Sequence, residues 1–296
     1  MTNTKMLVCD LDNTLYDWVN YFVESFYAMV DQVVGATECD REQLLDDFRA
    51  VHRQHRDSEH PFALLETTTI KHLYPGQSRA MLAERLDSAF HAFNTRRKEM
   101  LRLYPSVRET LDTLSRTDLV IVAHTESNLY AAVDRLTRLD LTKYFQRIYC
   151  RERTDAEHPN QKTVESWLQQ FPSGKIVELP HNQLKPRPEV LLKICRDEAI
   201  APHQTAYVGD SIARDIFMAR SAGVFAIWAK YGSMHSGDQY AKLVRVTHWT
   251  DGDVSRERKL AEKVQAMTPD YVLPCEFGEI LQAILPEDTL TEARQI

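Results

Sequence analysis

The sequence predicts an α/β protein: a doubly wound parallel sheet with a smaller α-helical cap inserted after its first strand. Three observations carry this expectation. Short apolar runs recur without alternation, helix-like stretches separate several of them, and carboxylates or hydroxyls stand where the runs stop.

The first run is Met6-Leu7-Val8-Cys9, and similar runs lie at 119–123, 205–208, 224–228 and 271–273. Continuous apolar runs of this length suit strands buried on both faces. Helical periods occupy 107–114, 129–136, 188–197 and 212–221, the alternation expected of a parallel sheet. Ligands of such sheets sit at the carboxyl ends of strands. Asp10, Thr125 and Asp210 are all at or just past those ends.

Residues 17–102 show helical periods and no convincing strand, so they are expected to form the cap, with residues 1–16 and 103–296 forming the core. Trp18, Phe22, Phe26, Met29 and Val33 recur every three or four residues, with Gly35 placed to end that helix. Ser78 is expected to cap a further helix that buries Leu82, Leu86, Phe90 and Phe93. These stripes are read as packing. Stretches at about 151–184 and 232–268 exceed ordinary loop lengths and are treated as insertions in the core.

Hydrophobic residues make up 43% of the 296 and charged residues 27%, with nine Gly and twelve Pro, a composition that suits a globular chain. No apolar run approaches the roughly 20 residues that cross a bilayer, and Met1 to Lys5 lacks a secretion-signal pattern. A cytoplasmic protein is expected. The net charge of −7, from 43 acidic and 36 basic side chains, disfavours a nucleic acid polymer as partner. Cys9, Cys39, Cys150, Cys195 and Cys275 are scattered, odd in number and in no C-x-x-C pair, so they are expected to be reduced thiols.

Asp10-Leu11-Asp12-Asn13-Thr14 places two carboxylates two residues apart at a strand end. In extended chain both face one side, and a turn at Asn13 and Thr14 can offer backbone N–H groups to phosphate oxygens. Thr125 follows another strand, Lys185 precedes Pro186-Arg187-Pro188 at a helix start, and Gly209-Asp210-Ser211 closes a third strand with Asp215 five residues after Asp210. In this order, these four motifs resemble those of the haloacid dehalogenase superfamily, chiefly its phosphatases. Tyr104-Pro105-Ser106-Val107 and Ala219-Arg220-Ser221-Ala222-Gly223 are similar to its supporting segments.

The resemblance implies an α/β hydrolase that removes phosphoryl groups from small phosphorylated metabolites with Mg²⁺. Asp10 would be the nucleophile, forming an aspartyl-phosphate, and Asp12 the acid and base. Thr125 and Lys185 would bind the phosphoryl oxygens, while Asp10, the backbone carbonyl of Asp12 and Asp210 would hold the metal. Asp215 and Ser211 are expected to support them. Glu126, where the family usually has a small polar residue, is expected to turn its carboxylate away and lend only its backbone.

Asp12 also favours phosphate esters over carbon–halogen substrates, because a departing halide needs no proton. The segment Asp12 to Tyr16 is similar to that of nucleotidase-like members, leaving nucleoside monophosphates, sugar phosphates and phosphoglycolate open as substrates. The rivals are a dehalogenase-type hydrolase and a binding or regulatory protein without turnover. In the cap, Arg49, Arg53 and Arg56 fall on one helical face, either solvated or, for Arg53 and Arg56, in contact with substrate. His52, His55 and His60 lack evident paired acids and are read as solvated rather than metal-bound.

Overall fold

Leu7 and Cys9 of β1 (Met6–Cys9) join one apolar cluster and Met6 and Val8 another, so the first strand forms because neither of its faces meets water. A computed structural model describes residues 4–60, 62–153, 165–166, 168–249, 252, 255 and 268–285. The other strands are β2 (Val120–Asn128), β3 (Arg147–Arg151), β4 (Ile176–Leu179), β5 (Thr205–Gly209), β6 (Phe225–Ala229) and β7 (Tyr271–Leu273). Their order is β4-β3-β2-β1-β5-β6-β7, and every neighbouring pair is parallel.

The chain proceeds from β1 through β2 and β3 to one edge, then returns to add β5 on the other side of β1. The reversal of strand order opens a crevice at the carboxyl ends beside β1. Cys9 is level with Ala123 on one side and Val208 on the other, so Asp10 leaves the sheet between the ends of β2 and β5.

Between β1 and β2 lie α1 (Trp18–Thr37), α2 (Arg41–His55), α3 (Thr68–Leu73), α4 (Arg79–Arg85), α5 (Asp87–Met100) and α6 (Val107–Leu114). Then follow α7 (Leu129–Arg138), α8 (Pro188–Asp197), α9 (Phe217–Ser221), α10 (Gly237–Val246) and α11 (Ile280–Ile284). Val107, Leu111 and Leu114 of α6 cover one face of the sheet, while Val190, Leu191 and Ile194 of α8 and Met218 of α9 cover the other.

Several boundaries differ from the sequence expectation. Helix α1 runs through Gly35 to Thr37 and ends at Glu38, whose φ of 53° is left-handed and whose N–H donates to Val34 O. A glycine inside a helix costs only about 1 kcal/mol and does not by itself end it. Ser78 does cap a helix, accepting from Met81 N, but the backbone leaves helical geometry at Leu86 and α5 begins anew. Leu82 and Leu86 are buried, whereas Phe90 and Phe93 are only partly so.

Strand β2 continues past Ala123 to Asn128, with a register shift between His124 and Asn128. Strand β3 went unforeseen because Arg147 and Arg151 bracket only three apolar or aromatic residues. Strand β4 lies within the stretch at 151–184, and α10 within the one at 232–268; residues 154–164 and 256–267 are outside the described residues. Helix α10 binds the helices after β1: His52 Nδ1 is 2.6 Å from Val246 O, and Tyr27 Oη donates to Lys242 O. Among the described residues no helix is long and apolar enough to cross a membrane. All five cysteines are unpaired, with Cys9, Cys150 and Cys195 buried.

Candidate active site

Asp10 is the first residue beyond β1, and its N–H donates to Val208 O, fixing it against β5. Its Oδ1 accepts from Lys185 Nζ at 2.5 Å, and Lys185 Nζ lies 2.8 Å from Asp215 Oδ1. Thr14 Oγ1 reaches Asp10 Oδ2 at 3.3 Å. Asp215 Oδ2 accepts from the Ser211 N–H and Oδ1 from Tyr207 Oη, so Ser211 supports the site through its backbone.

Two glycines make room for this cluster. A Cβ on Gly209 would stand 2.4 Å from Asp215 Cγ, so a side chain there would collide with the carboxylate that meets Lys185. One on Gly232 would stand 1.7 Å from Asn13 O and 3.2 Å from Asp210 Cβ. Trp228 Nε1 donates to Asp210 O, and Tyr231 Oη to Thr14 O, tying the loops after β5 and β1 to the end of β6.

Carboxylate oxygens of Asp10, Asp210 and Asp215 lie within 4.8 Å of one another, with Lys185 the cation paired to Asp10 and Asp215. Burial pushes Asp10 up to about 7; Lys185 opposes that rise and Asp215 adds to it. Burial, with the charges of Asp215 and Asp10, also holds Asp210 well above the usual carboxylate range. For Lys185 burial works against the charge, but Asp10 and Asp215 outweigh it, so its ammonium is held firmly protonated. Crowded hard oxygen donors with too little positive charge are the setting that Mg²⁺ fits.

Asp12 has a different set of partners. Its Oδ2 accepts from Ser127 Oγ at 2.7 Å and Thr125 Oγ1 at 3.3 Å, and its Oδ1 is 3.2 Å from Arg135 Nη2. Arg135 is enclosed: Tyr16 Oη accepts from its Nε, Ser127 Oγ from its Nη2, and Glu59 pairs with its Nη1. A buried guanidinium is tolerable only with such partners. Ser127, Arg135 and Glu59 were missed in the sequence. Arg135 had left a signal, a charge at the edge of the α7 stripe formed by Leu129, Ala132, Val133 and Leu136; Glu59, outside any regular element, left none.

Two local expectations fail. The N–H groups of Asn13 and Thr14 close the turn, donating to Tyr16 O and Leu11 O, and so are not turned to phosphate. Asn13, at a φ of 58°, uses its Oδ1 to accept from Trp18 and Val19 at the start of α1. Glu126 lends more than its backbone: its carboxylate accepts from the Lys185 N–H at 2.8 Å and pairs with Arg214, anchoring the lysine loop.

Of the arginines expected on one face of α2, Arg53 donates to Trp249 O at 3.5 Å, while Arg56 takes the left-handed position that ends α2 and leaves the helical face shared by Arg49 and Arg53. Neither lines the cavity of about 610 Å³ walled by Phe22, Phe26, Phe48, Phe62, Phe90 and Phe93. Glu59 and Arg135 do line it and also reach toward Asp12, directly or through Ser127. The histidines are not solvated: His52 is buried, and His55 and His60 share Glu66.

The glyceraldehyde 3-phosphate phosphatase of Methanopyrus kandleri is 21% identical over 271 residues, 90% of this chain and 99% of that protein. The phosphoglycolate phosphatase of Mannheimia succiniciproducens is 30% identical over 156 residues, 53% of this chain. The match spans about half the length of the Mannheimia protein, and likewise of a glyceraldehyde 3-phosphate phosphatase from Pyrococcus furiosus. In fold, the 2-haloacid dehalogenase of Pseudomonas syringae pv. Tomato DC3000 superposes with a TM-score of 0.54 at 18% identity, over 95% of this chain and 98% of that one. The family model for haloacid dehalogenase-like hydrolases matches residues 4–223, and the chain belongs to that family.

Proposed function

We propose that this protein is a Mg²⁺-dependent phosphatase of small cytosolic phosphorylated metabolites, acting through an aspartyl-phosphate on Asp10. The observation that carries the reading is the placement of Asp10 against Lys185 and Asp215, with Asp12 two residues on and held by Thr125. Asp10, Asp210 and the backbone carbonyl of Asp12 would hold Mg²⁺, which when bound neutralises phosphoryl charge and the repulsion among the acids.

Within this reading Asp10 attacks phosphorus, and Lys185 and Thr125 bind the phosphoryl oxygens as charge spreads over them. Asp215 orients Lys185. Asp12 gives a proton to the departing oxygen, then takes one from the attacking water as the aspartyl-phosphate is hydrolysed. Arg135 acts as a positioning residue that, with Ser127, fixes the Asp12 carboxylate.

An acid at Asp12 supports phosphate esters over carbon–halogen bonds, and the names of the curated relatives support short sugar or sugar-acid phosphates over nucleoside monophosphates. We propose a cap of residues 17–102 over a core of 1–16 and 103–296; contacts of His52 and Tyr27 with α10 would join that helix to the cap. The cavity beyond Arg135 is then the nearest space for the distal part of a substrate, and neither Arg53 nor Arg56 lines it. A phosphate-release screen over two- to six-carbon phosphorylated metabolites and nucleoside monophosphates, with Mg²⁺ and with chelator, tests the reading. Release that persists in excess chelator, or is confined to halide from halo-acids, sinks it.

A further inference from the structure

Asp215 holds Lys185, and a buried chain of side chains holds Asp215. Its Oδ2 accepts from the Ser211 N–H at 3.0 Å, while its Oδ1 meets both Lys185 Nζ at 2.8 Å and Tyr207 Oη at 3.3 Å. Tyr207 Oη is in turn 3.2 Å from His124 Nδ1, and the two rings stand edge to face with centroids 5.9 Å apart. Both side chains are buried. We propose that Tyr207 and His124 are positioning residues for phosphoryl transfer, fixing Asp215 and through it the Lys185 ammonium, an inference that rests on the phosphatase reading above.

Strand register brings the pair together. Val8 of β1 is level with Val122 on β2 and with Tyr207 on β5, and all three belong to one apolar cluster. Side chains two apart in a strand share a face, so His124 turns to the face of Val122, one step beyond the level of Cys9 and Ala123. Strands β2 and β5 stand two strand spacings apart, about 9–10 Å, a gap that neither ring spans alone. The imidazole and the phenol close it between them, where β1 gives way to Asp10.

The proton positions follow from the acceptors. A phenol has one proton, and burial keeps Tyr207 a phenol by holding its pKa well above the usual range. The Asp215 oxygen, an ion-pair partner of Lys185, is the stronger acceptor, so Tyr207 donates there and turns a lone pair to His124. Burial, then the charges of Lys185 and Arg214, keeps His124 neutral with a single N–H, which the chain places on Nδ1. Both donors then point toward the carboxylate. An ammonium is a point charge on a flexible stem, so its aim at a phosphoryl oxygen depends on its two carboxylate partners staying in place.

The test is a double-mutant cycle in the full chain with Mg²⁺ and p-nitrophenyl phosphate. Tyr207→Phe keeps the ring, whose centroid is 5.6 Å from Lys185 Nζ, and removes only the hydroxyl. It should lower kcat about tenfold, the worth of a hydrogen bond to a charged group, and leave KM within about twofold. His124→Leu, which lacks a donor, should lower kcat by about threefold or more, and His124→Asn, whose amide can place an N–H where Nδ1 stands, should restore it. In an Asp215→Asn background, followed by single turnover at high enzyme concentration, Tyr207→Phe should change the rate by less than about twofold, because the chain acts only through Asp215. A merely structural role would slow both backgrounds alike. Separately from turnover, NMR of the ¹⁵N-labelled imidazole should show the His124 proton on Nδ1, slow to exchange in the native chain and displaced in Tyr207→Phe. A native chain that hydrolyses no phosphate ester overturns the phosphatase reading and this inference with it. Native turnover combined with undiminished kcat in folded Tyr207→Phe, with equal slowing in both backgrounds, or with the His124 proton on Nε2 overturns this inference alone. Should His124→Leu fail to fold, Tyr207→Phe and the imidazole spectrum decide.

Discussion

Arg135 Nη2 stands 3.2 Å from Asp12 Oδ1, and the same nitrogen donates to Ser127 Oγ, whose hydrogen bond goes to the other Asp12 oxygen. Asp12 is therefore gripped at both oxygens from one helix and one strand end. If it transfers protons, Arg135 sets where it does so.

Arg135→Gln should lower stability by about 3–5 kcal/mol, because Glu59 and Asp12 lose the buried charge that compensates them. Turnover of alkyl phosphates should drop by about tenfold or more, part of the roughly 10²–10⁴ that proton transfer supplies. A purely structural role would slow all substrates alike. A positioning role slows alkyl phosphates more than p-nitrophenyl phosphate, and Arg135→Lys should partly restore the difference. Equal slowing of both substrates in folded protein would count against it.

Mg²⁺ and protons should compete at the acid cluster. Burial raises Asp10 from 3.8 to about 7, so between those values the folded, metal-free chain binds more protons than the unfolded one. Stability from this group therefore falls as pH rises through that window. Mg²⁺ takes the place of the proton, so it should raise the melting temperature more at about pH 8 than at about pH 5.5. Calorimetry near pH 6 in buffers of different ionisation enthalpy should show proton release on binding. A pH-independent Mg²⁺ effect would contradict the charge balance described for the cluster.

Gly209→Ala tests the close approach of strand β5 to Asp215. Its Cβ would fall 2.4 Å from Asp215 Cγ, forcing that carboxylate off Lys185 or the backbone outward. Overpacking of this kind costs about 1–3 kcal/mol. Turnover should fall with it, most plainly in kcat, because the Lys185 ammonium loses one of its two anchors. Urea unfolding and steady-state kinetics measure both effects, and a variant of native stability and kcat would remove Asp215 from its assigned part.

The sheet was legible because β1, β5 and β6 are buried on both faces and their apolar runs admit few other readings. Asp10, Asp12, Lys185 and Asp210 were legible for a related reason, each standing beside such a run or a proline-marked helix start. What escaped depends on contacts distant in sequence. Strand β3 is bracketed by arginines, one of which, Arg147, reaches Glu198 some fifty residues on. Glu59 acquires its meaning only where Arg135 meets it, 76 positions later. Even the Asn13-Thr14 turn was misread, because its N–H groups find partners inside the turn itself.

The two carboxylates of the first motif provide the sharpest test, since composition treats them alike and their surroundings do not. Asp10→Asn should abolish phosphate release, because an amide is a poor nucleophile toward phosphorus and a weaker metal ligand. Asp12→Asn keeps the nucleophile and its Lys185 contact but removes proton transfer, a loss of about 10²–10⁴ for alkyl phosphates. With p-nitrophenyl phosphate the leaving group needs little protonation, so the loss should shrink in a single-turnover measurement of nitrophenol release, which isolates the first step. Because Asp12 also neutralises part of Arg135, circular dichroism must first show that Asp12→Asn is folded. Near-native turnover by folded Asp10→Asn, or equal slowing of both ester types by Asp12→Asn in that first step, would mean that the two roles have been assigned to the wrong residues.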